Sequence, residues 1–430
     1  MGTARHLTVA GAATVLLAGA GLWIGMRGHR RSLGPMTEVA VRNADIAFYE
    51  ARVERDTLSA ADMAQLAALY LQRSRETGDR EDVRRAEQLA ERSLALRSDR
   101  NSRAWLVLTS SLLAQHRFAE SRSAAESLAV RDSTPGHMAL LGEIELEMGR
   151  YTAARRIFDW LRSARTNLAV APRLARWQEI VGRPEEAHAL LVDAATEAER
   201  RTDLPREQVA WFHLRVADIA LRFGKLREAR SAIERGLAVE PNDFRLFAAM
   251  ARWYAVRERW HDAVRWGLRA AAAGGDIQTL DLVGDAFAAL GNHTEARRYL
   301  DRAESLGVHY PEPFNRQWTL FRLDHSHRVN ETRELLEQEI LERQDVYGWD
   351  QLAWARYRTG DMPAARLAID QALSMGTRDA VILYHAGVIA EALGRRTEAR
   401  SFLEQALRIN PYFHWRHAAD ARERLRRLSG

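Results

Sequence analysis

Residues 379–413 read DAVILYHAGVIAEALGRRTEARSFLEQALRINPYF, and the spacing within this stretch decides the fold. Leu383, Ala386 and Ala390 fall on one face of a helix, Gly394 stops it, and Ala399, Leu403 and Ala406 mark the face of a second helix that ends before Pro411. The expected unit is two short amphipathic helices folded back on each other.

The unit recurs along the chain. His116, Gly149, Gly182, Gly224, Glu258, Gly291, Gly360 and Gly394 occupy equivalent turns, at intervals of 33, 33, 42, 34, 33, 69 and 34 residues. Five residues after each turn stands Ser121, Ala154, Ala187, Ala229, Ala263, Ala296, Ala365 or Ala399. Seven residues before it the side chains are again small, and eleven before it they are large, as at Trp105 and Trp349. Small residues at crossing points let paired helices approach closely. Pro241 and Pro411 follow the second helix of their units. Two further units depart from the pattern. In Ala61–Leu96 the run RSRETGDREDV reads as an enlarged turn, and Pro311–Arg343 has no turn glycine.

This pattern resembles the tetratricopeptide (TPR) repeat, an antiparallel helix pair of about 34 residues. The resemblance implies an all-α, right-handed solenoid of about ten helix pairs with a capping helix at each end, and a role in binding protein or peptide partners along its concave groove. Membrane-anchored bacterial members of this class are the nearest type. The expected layout is a short tail at 1–6, an apolar segment at 7–26, a basic linker at 27–36, an N-terminal cap at 37–58, the array at 59–413 and a C-terminal cap at 414–430.

Leu7–Met26 is uncharged, apolar and 20 residues long, about the length that spans a bilayer as a helix. Leu22, Trp23, Ile24 and Met26 carry the run past Ala18 and Ala20, which favours a retained anchor over a cleaved signal. Arginines flank both ends, so the side of the membrane on which the array lies stays open, as does the oligomeric state.

The net charge of +5 is small for 430 residues, and the basic pI of 9.7 rests on arginine, with Lys225 the single lysine. No nucleic-acid partner is expected. The absence of cysteine excludes disulfides, thiolate metal sites and cysteine nucleophiles. Repeats and caps occupy the chain from residue 37 onward, no catalytic motif stands out, and neither an enzyme nor a cofactor is expected. His325 with His327, and His414 with His417, have ligand-like spacing but no identifiable third ligand, so no metal site is assigned; metal handling is one alternative reading. Another is an adaptor in cell-envelope polysaccharide or lipopolysaccharide assembly, a role similar to that of some anchored bacterial TPR proteins.

The resemblance places the first helix of each pair on the concave surface, with the residue six before each turn pointing inward. From Glu143 these alternate in sign through Arg176, Asp218, Arg252 and Asp285, so the ladder either fixes repeat register or forms part of a binding surface. Lysine and asparagine, with which eukaryotic TPR co-chaperones grip a terminal carboxylate, are replaced by Leu106 and Ser110, or by Asp281 and Asp285. Toward the C-terminus Tyr347, Trp354, Tyr357, Arg358 and Tyr384 are expected either to project as anchors for a partner or to pack on the irregular unit beside them.

Overall fold

A left-handed residue closes every turn between paired helices, and ten such turns organise the chain. The structure is a computed structural model that describes residues 38–163, 167–309 and 313–429. It divides into two units at Asp45/Ile46, and of the first only Glu38 to Asp45 is described, the opening of helix Glu38–Arg55. The apolar segment Leu7–Met26 lies outside the described residues. No helix among those described is long and apolar enough to cross a membrane.

All regular structure among the described residues is helical. Five pairs come first: Ala60–Thr77 with Arg80–Leu96, Ser102–Ala114 with Phe118–Arg131, Pro135–Glu147 with Tyr151–Ser163, Ala171–Ile180 with Pro184–Arg200, and Arg206–Arg222 with Leu226–Val239. Five more follow: Phe244–Ala255 with Trp260–Ala272, Ile277–Ala289 with His293–His309, Arg316–Asp324 with Val329–Glu339, Met362–Leu373 after Val346–Arg358, and Arg396–Ile409 after Ala380–Ala392. Helix His417–Ser429 ends the chain.

Gly149, Gly182, Gly224, Gly291, Gly360 and Gly394 have φ between 69° and 88°, and His116 and Glu258 take the same left-handed conformation at 58°. The residue after each turns its N–H back onto the helix, as Arg150 does to the Glu145 carbonyl at 2.8 Å and Arg183 to that of Gln178 at 2.8 Å. This is the Schellman closure, which satisfies carbonyls left open at a helix end. Ser326, at φ 56°, does the same job in the irregular eighth pair, where His327 donates to the Arg322 carbonyl at 2.8 Å. A turn therefore forms there without glycine, and the interval of 69 resolves into 35 and 34.

The enlarged turn expected in the first pair is not present. Helix Ala60–Thr77 continues through that polar run to Gly78, at φ 77°, and Asp79 caps the next helix. Arg73, within the run, pairs with buried Asp82 across the turn at 2.6 Å, which gives the extra helical residues a partner. Ser59 caps the pair's first helix by accepting the Asp62 N–H.

Small residues sit where the helices cross. Ala154, Ala187, Ala229, Ala263, Ala365 and Ala399 have no exposed surface. A Cβ at Gly284 would come within 2.6 Å of Leu300, and one at Gly387 within 2.8 Å of Leu403. The buried side chains form a chain of clusters running from pair to pair, as expected of a solenoid.

The array also touches itself one revolution later. Gly78 lies against Phe244 and Gly274, the His116 ring is 3.2 Å from the Pro313 carbonyl, Gly149 abuts Gln344, Gly182 abuts Gly376 and Gly224 abuts Asn410. Each contact joins the turn of one pair to the junction between the fifth and sixth pairs further on. Between five and six pairs therefore make one revolution, and successive revolutions are in contact. Across this seam Gln344 N–H donates to the Met148 carbonyl at 3.2 Å, Arg343 Nε to that of Glu147 at 3.0 Å, and the Thr377 hydroxyl to that of Ile180 at 2.6 Å.

Candidate functional site

First helices of the fifth, sixth and seventh pairs line a cavity of about 450 Å³ on the concave side. Asp218, Arg252, Gln278 and Thr279 face it from these helices. Ala380 and Val381, and the segment Tyr412–Trp415, form its other side because the chain returns there one revolution later. The lining mixes charge of both signs with aromatic surface, which suits a peptide segment better than a single anion.

The alternating ladder holds in its middle. Arg252 reaches Asp218 of the preceding pair at 2.6 Å, and Arg215 adds a second cation at 3.6 Å. Both residues are partly exposed, so this pairing contributes modestly to stability. The ladder departs from neighbour pairing at both ends. Glu143 is taken by Arg173 at 2.7 Å, while Arg176 lies 3.8 Å from Glu147 and donates to the Tyr347 hydroxyl at 3.2 Å. Arg176 thus faces the next revolution, with its guanidinium 4.7 Å above the Tyr347 ring. Glu147 serves the same seam. Burial pushes its carboxyl up, but Arg343, Arg316 and Arg176 outweigh burial and hold it down to about 2.

The aromatic anchors expected near the C-terminus are mostly interior. Trp354 is 3% exposed, donates its indole N–H to Asp324 at 3.0 Å and stacks on Tyr357 and His385. Tyr384, also 3% exposed, donates its hydroxyl to Asp420 at 2.7 Å. Both are covered because the final helix and the tail of the last pair fold over the helices that carry them, so neither projects as a free anchor. Arg358 bonds the Ser326 hydroxyl and lies 5.8 Å from the Trp354 ring. Tyr347 and Tyr357 remain partly exposed.

Asp285 engages neither neighbouring ladder residue. Its carboxylate accepts the Trp415 indole N–H at 2.6 Å and pairs with Arg416, which also reaches Asp281 at 2.5 Å. Burial, and after it the adjacent charge of Asp281, push the Asp285 carboxyl above its usual range. His325 Nε2 is 2.7 Å from Asp281, and His417 Nε2 is 3.2 Å from Asp324.

The histidine pairs read from sequence are thereby divided. His325 and His327 do not converge, because His327 points to Glu304 at 3.6 Å. His414 and His417 stack at 4.3 Å beside Asp324, and ligand-type atoms of these three lie within 4.8 Å of one another. Asp281, Asp285 and His325 form a second such group, into which Arg416 already places a cation. In the first group His414 Nδ1 accepts the Arg416 backbone N–H at 3.2 Å, and Asp324 is held by Trp354 and His417. The carboxylates of both groups are therefore engaged within the chain, Asp324 by Trp354 and His417 and the other two by Arg416.

Asp324, Trp415 and Arg416 have no linear signature as concave-surface residues. Asp281 and Asp285 do, since four residues apart on a helix is one turn on one face.

Residues 71–138 and 351–412 match a family model described as Tetratricopeptide repeat. No curated protein matches the chain. Among solved structures, a chain of the APC/C hetero-tetramer Cut9-Hcn1 is 14% identical, with 90% of this chain and 92% of that one covered and a TM-score of 0.34. A tetratricopeptide repeat protein from Parabacteroides merdae is 15% identical over 61% and 99%, with a TM-score of 0.35. Yeast Tom70 is 11% identical over 89% and 91%, with a TM-score of 0.37. At such scores these likenesses carry no argument. The two matched segments stand near the two ends of a series of ten described helix pairs, and in these segments the chain is similar to tetratricopeptide repeat proteins.

Proposed function

We propose that this protein is a non-catalytic scaffold, tethered at a membrane by its N-terminal segment, that receives segments of protein partners in its concave cavity. The cavity of about 450 Å³, walled by three consecutive first helices and by the returning chain, carries the binding part of this reading. A photo-crosslinking residue at Gln278, which is exposed and lines the cavity, tests it. Partner adducts should form there and disappear when Ala248→Trp fills the cavity, while a crosslinker at outward Arg298 should yield none of them. Adducts that persist in the filled variant would defeat the assignment. The tether rests on the apolar run Leu7–Met26. Protease treatment of intact spheroplasts tests it: membrane attachment of the undigested chain is expected, and digestion or protection reports the side. A chain recovered free of membranes would remove the tether.

A further inference from the structure

The final helix needs little from the segment that precedes it. Ala421, Leu425 and Leu428 pack it onto the core of the last pairs. Yet the residues between Pro411 and His417 run along the concave side and reach the seventh pair, more than 120 residues earlier in the chain. There Trp415 gives its indole N–H to Asp285, and Arg416 spreads its guanidinium over Asp285 and Asp281, one turn apart on helix Ile277–Ala289. Phe413 lies 5.7 Å from Tyr384, and Tyr412 to Trp415 wall the cavity. The segment is held by side chains at successive positions, as a bound peptide would be.

The chemistry of the receiving site is specific. Two carboxylates in a half-buried setting repel each other unless a cation lies between them, and Asp285 already bears the mark of burial and of Asp281 beside it. A planar guanidinium serves both carboxylates at once, whereas an ammonium is a single point charge. The residue before the arginine must bring an N–H or O–H to Asp285 and an aromatic face to the cavity. His325 flanks Asp281, and Asp324 lies beside His414 and His417, so no second cation with permanent charge shares the pair among these side chains.

We propose that Asp281 and Asp285 form a recognition site for a partner segment in which a hydrogen-bonding aromatic residue is followed by arginine, and that Trp415–Arg416 is its resident, competing occupant. The inference rests on the reading that the concave surface receives protein segments, and it names the chemistry of the segment. The same contact makes the C-terminal segment a built-in competitor.

The test uses the full chain and a fluorescent peptide with the sequence of residues 411–417, PYFHWRH. Fluorescence anisotropy should show at least tenfold tighter binding to the Trp415→Ala/Arg416→Ala double variant than to the unaltered chain. Adding Asp281→Asn and Asp285→Asn should abolish that binding, and so should glutamine in place of the peptide's arginine. Circular dichroism establishes that each variant is folded. Should the double variant fail to fold, hydrogen exchange of residues 411–417 in the unaltered chain is followed instead. Exchange should rise as the peptide is added, and unchanged exchange at saturating peptide would overturn the proposal. Equal peptide affinity of the opened and unaltered chains would overturn it, as would binding indifferent to the aspartate changes. Binding of the arginine and glutamine peptides alike would refute this partner chemistry and leave the groove reading standing. If neither binds and the Gln278 crosslinker yields no adduct, both readings fall.

Discussion

Gly149 and Gly360 occupy equivalent turns with nearly the same left-handed backbone, at φ 74° and 88°, yet alanine should affect them very differently. A side chain in this conformation costs about 1–2 kcal/mol at either position. At Gly360 a new Cβ meets nothing within 4 Å, so the cost should stop there. At Gly149 the Cβ would lie 2.3 Å from the Gln344 carbonyl group and 2.7 Å from the Asp345 nitrogen. Restoring an ordinary separation means moving the two revolutions apart by about 1 Å. The Gln344 N–H bond to Met148 and the Arg343 bond to Glu147, at 3.2 and 3.0 Å, cross that gap. Losing both adds about 1 kcal/mol each. Gly149→Ala should therefore cost about 3–4 kcal/mol and Gly360→Ala about 1–2 kcal/mol. Gly182→Ala belongs with the first, since its Cβ would meet the Gly376 carbonyl oxygen at 2.3 Å, and Gly394→Ala with the second. Urea denaturation followed by circular dichroism supplies the comparison, with hydrogen exchange at residues 343–348 as a local readout because long repeat arrays need not unfold in two states. Equal destabilisation of Gly149→Ala and Gly360→Ala, with unchanged exchange at the seam, would refute contact between revolutions.

Two further outcomes are expected. Trp354→Ala removes a buried ring and the hydrogen bond to Asp324, so it should cost about 3–5 kcal/mol in thermal or urea denaturation, and a loss below about 1 kcal/mol would show that the ring is not buried. Acid should loosen the seam in two stages. Burial and then the Arg343 charge lower His116 to about 4 in the folded chain, so the unfolded chain takes up this proton first and stability falls as pH drops from about 6.5 to 4. Glu147, held down to about 2, contributes stability above about 4.5 that is lost as pH falls toward 2. Denaturation midpoints measured across this range should lose the first stage in His116→Gln and the second in Glu147→Gln.

What the sequence discloses and what it conceals divide along distance. The pairing of helices, the small residues at their crossings and the left-handed turns repeat about every 34 residues, and each is enforced by contacts within one pair or with the next, so period and residue size suffice to read them. Ser326 shows the limit of reading turns by glycine: the backbone takes the same shape wherever the Schellman bonds and flanking helices hold it. The first pair shows the limit of reading polarity as loop, because Arg73 extends a helix whose partner, Asp82, lies across the turn. Contacts between revolutions are of another kind. They depend on small rotations summed over more than five pairs, and no local pattern records that sum. Trp354 and Tyr384 stand off the apolar stripe of their own pairs and so read as exposed, but the returning tail and the final helix cover them. A trace of this is nonetheless present in Ala380–Ala392, which is apolar almost all round its circumference, as a helix buried on every side should be. For Asp281 and Asp285 the helical face is legible, while the arginine that satisfies them stands more than 130 residues away. An acidic pair on a concave helix face states a need for a cation without saying which one. Only the return of the chain one revolution later shows that the protein supplies it from its own C-terminal segment, and therefore what a rival segment must carry to take its place.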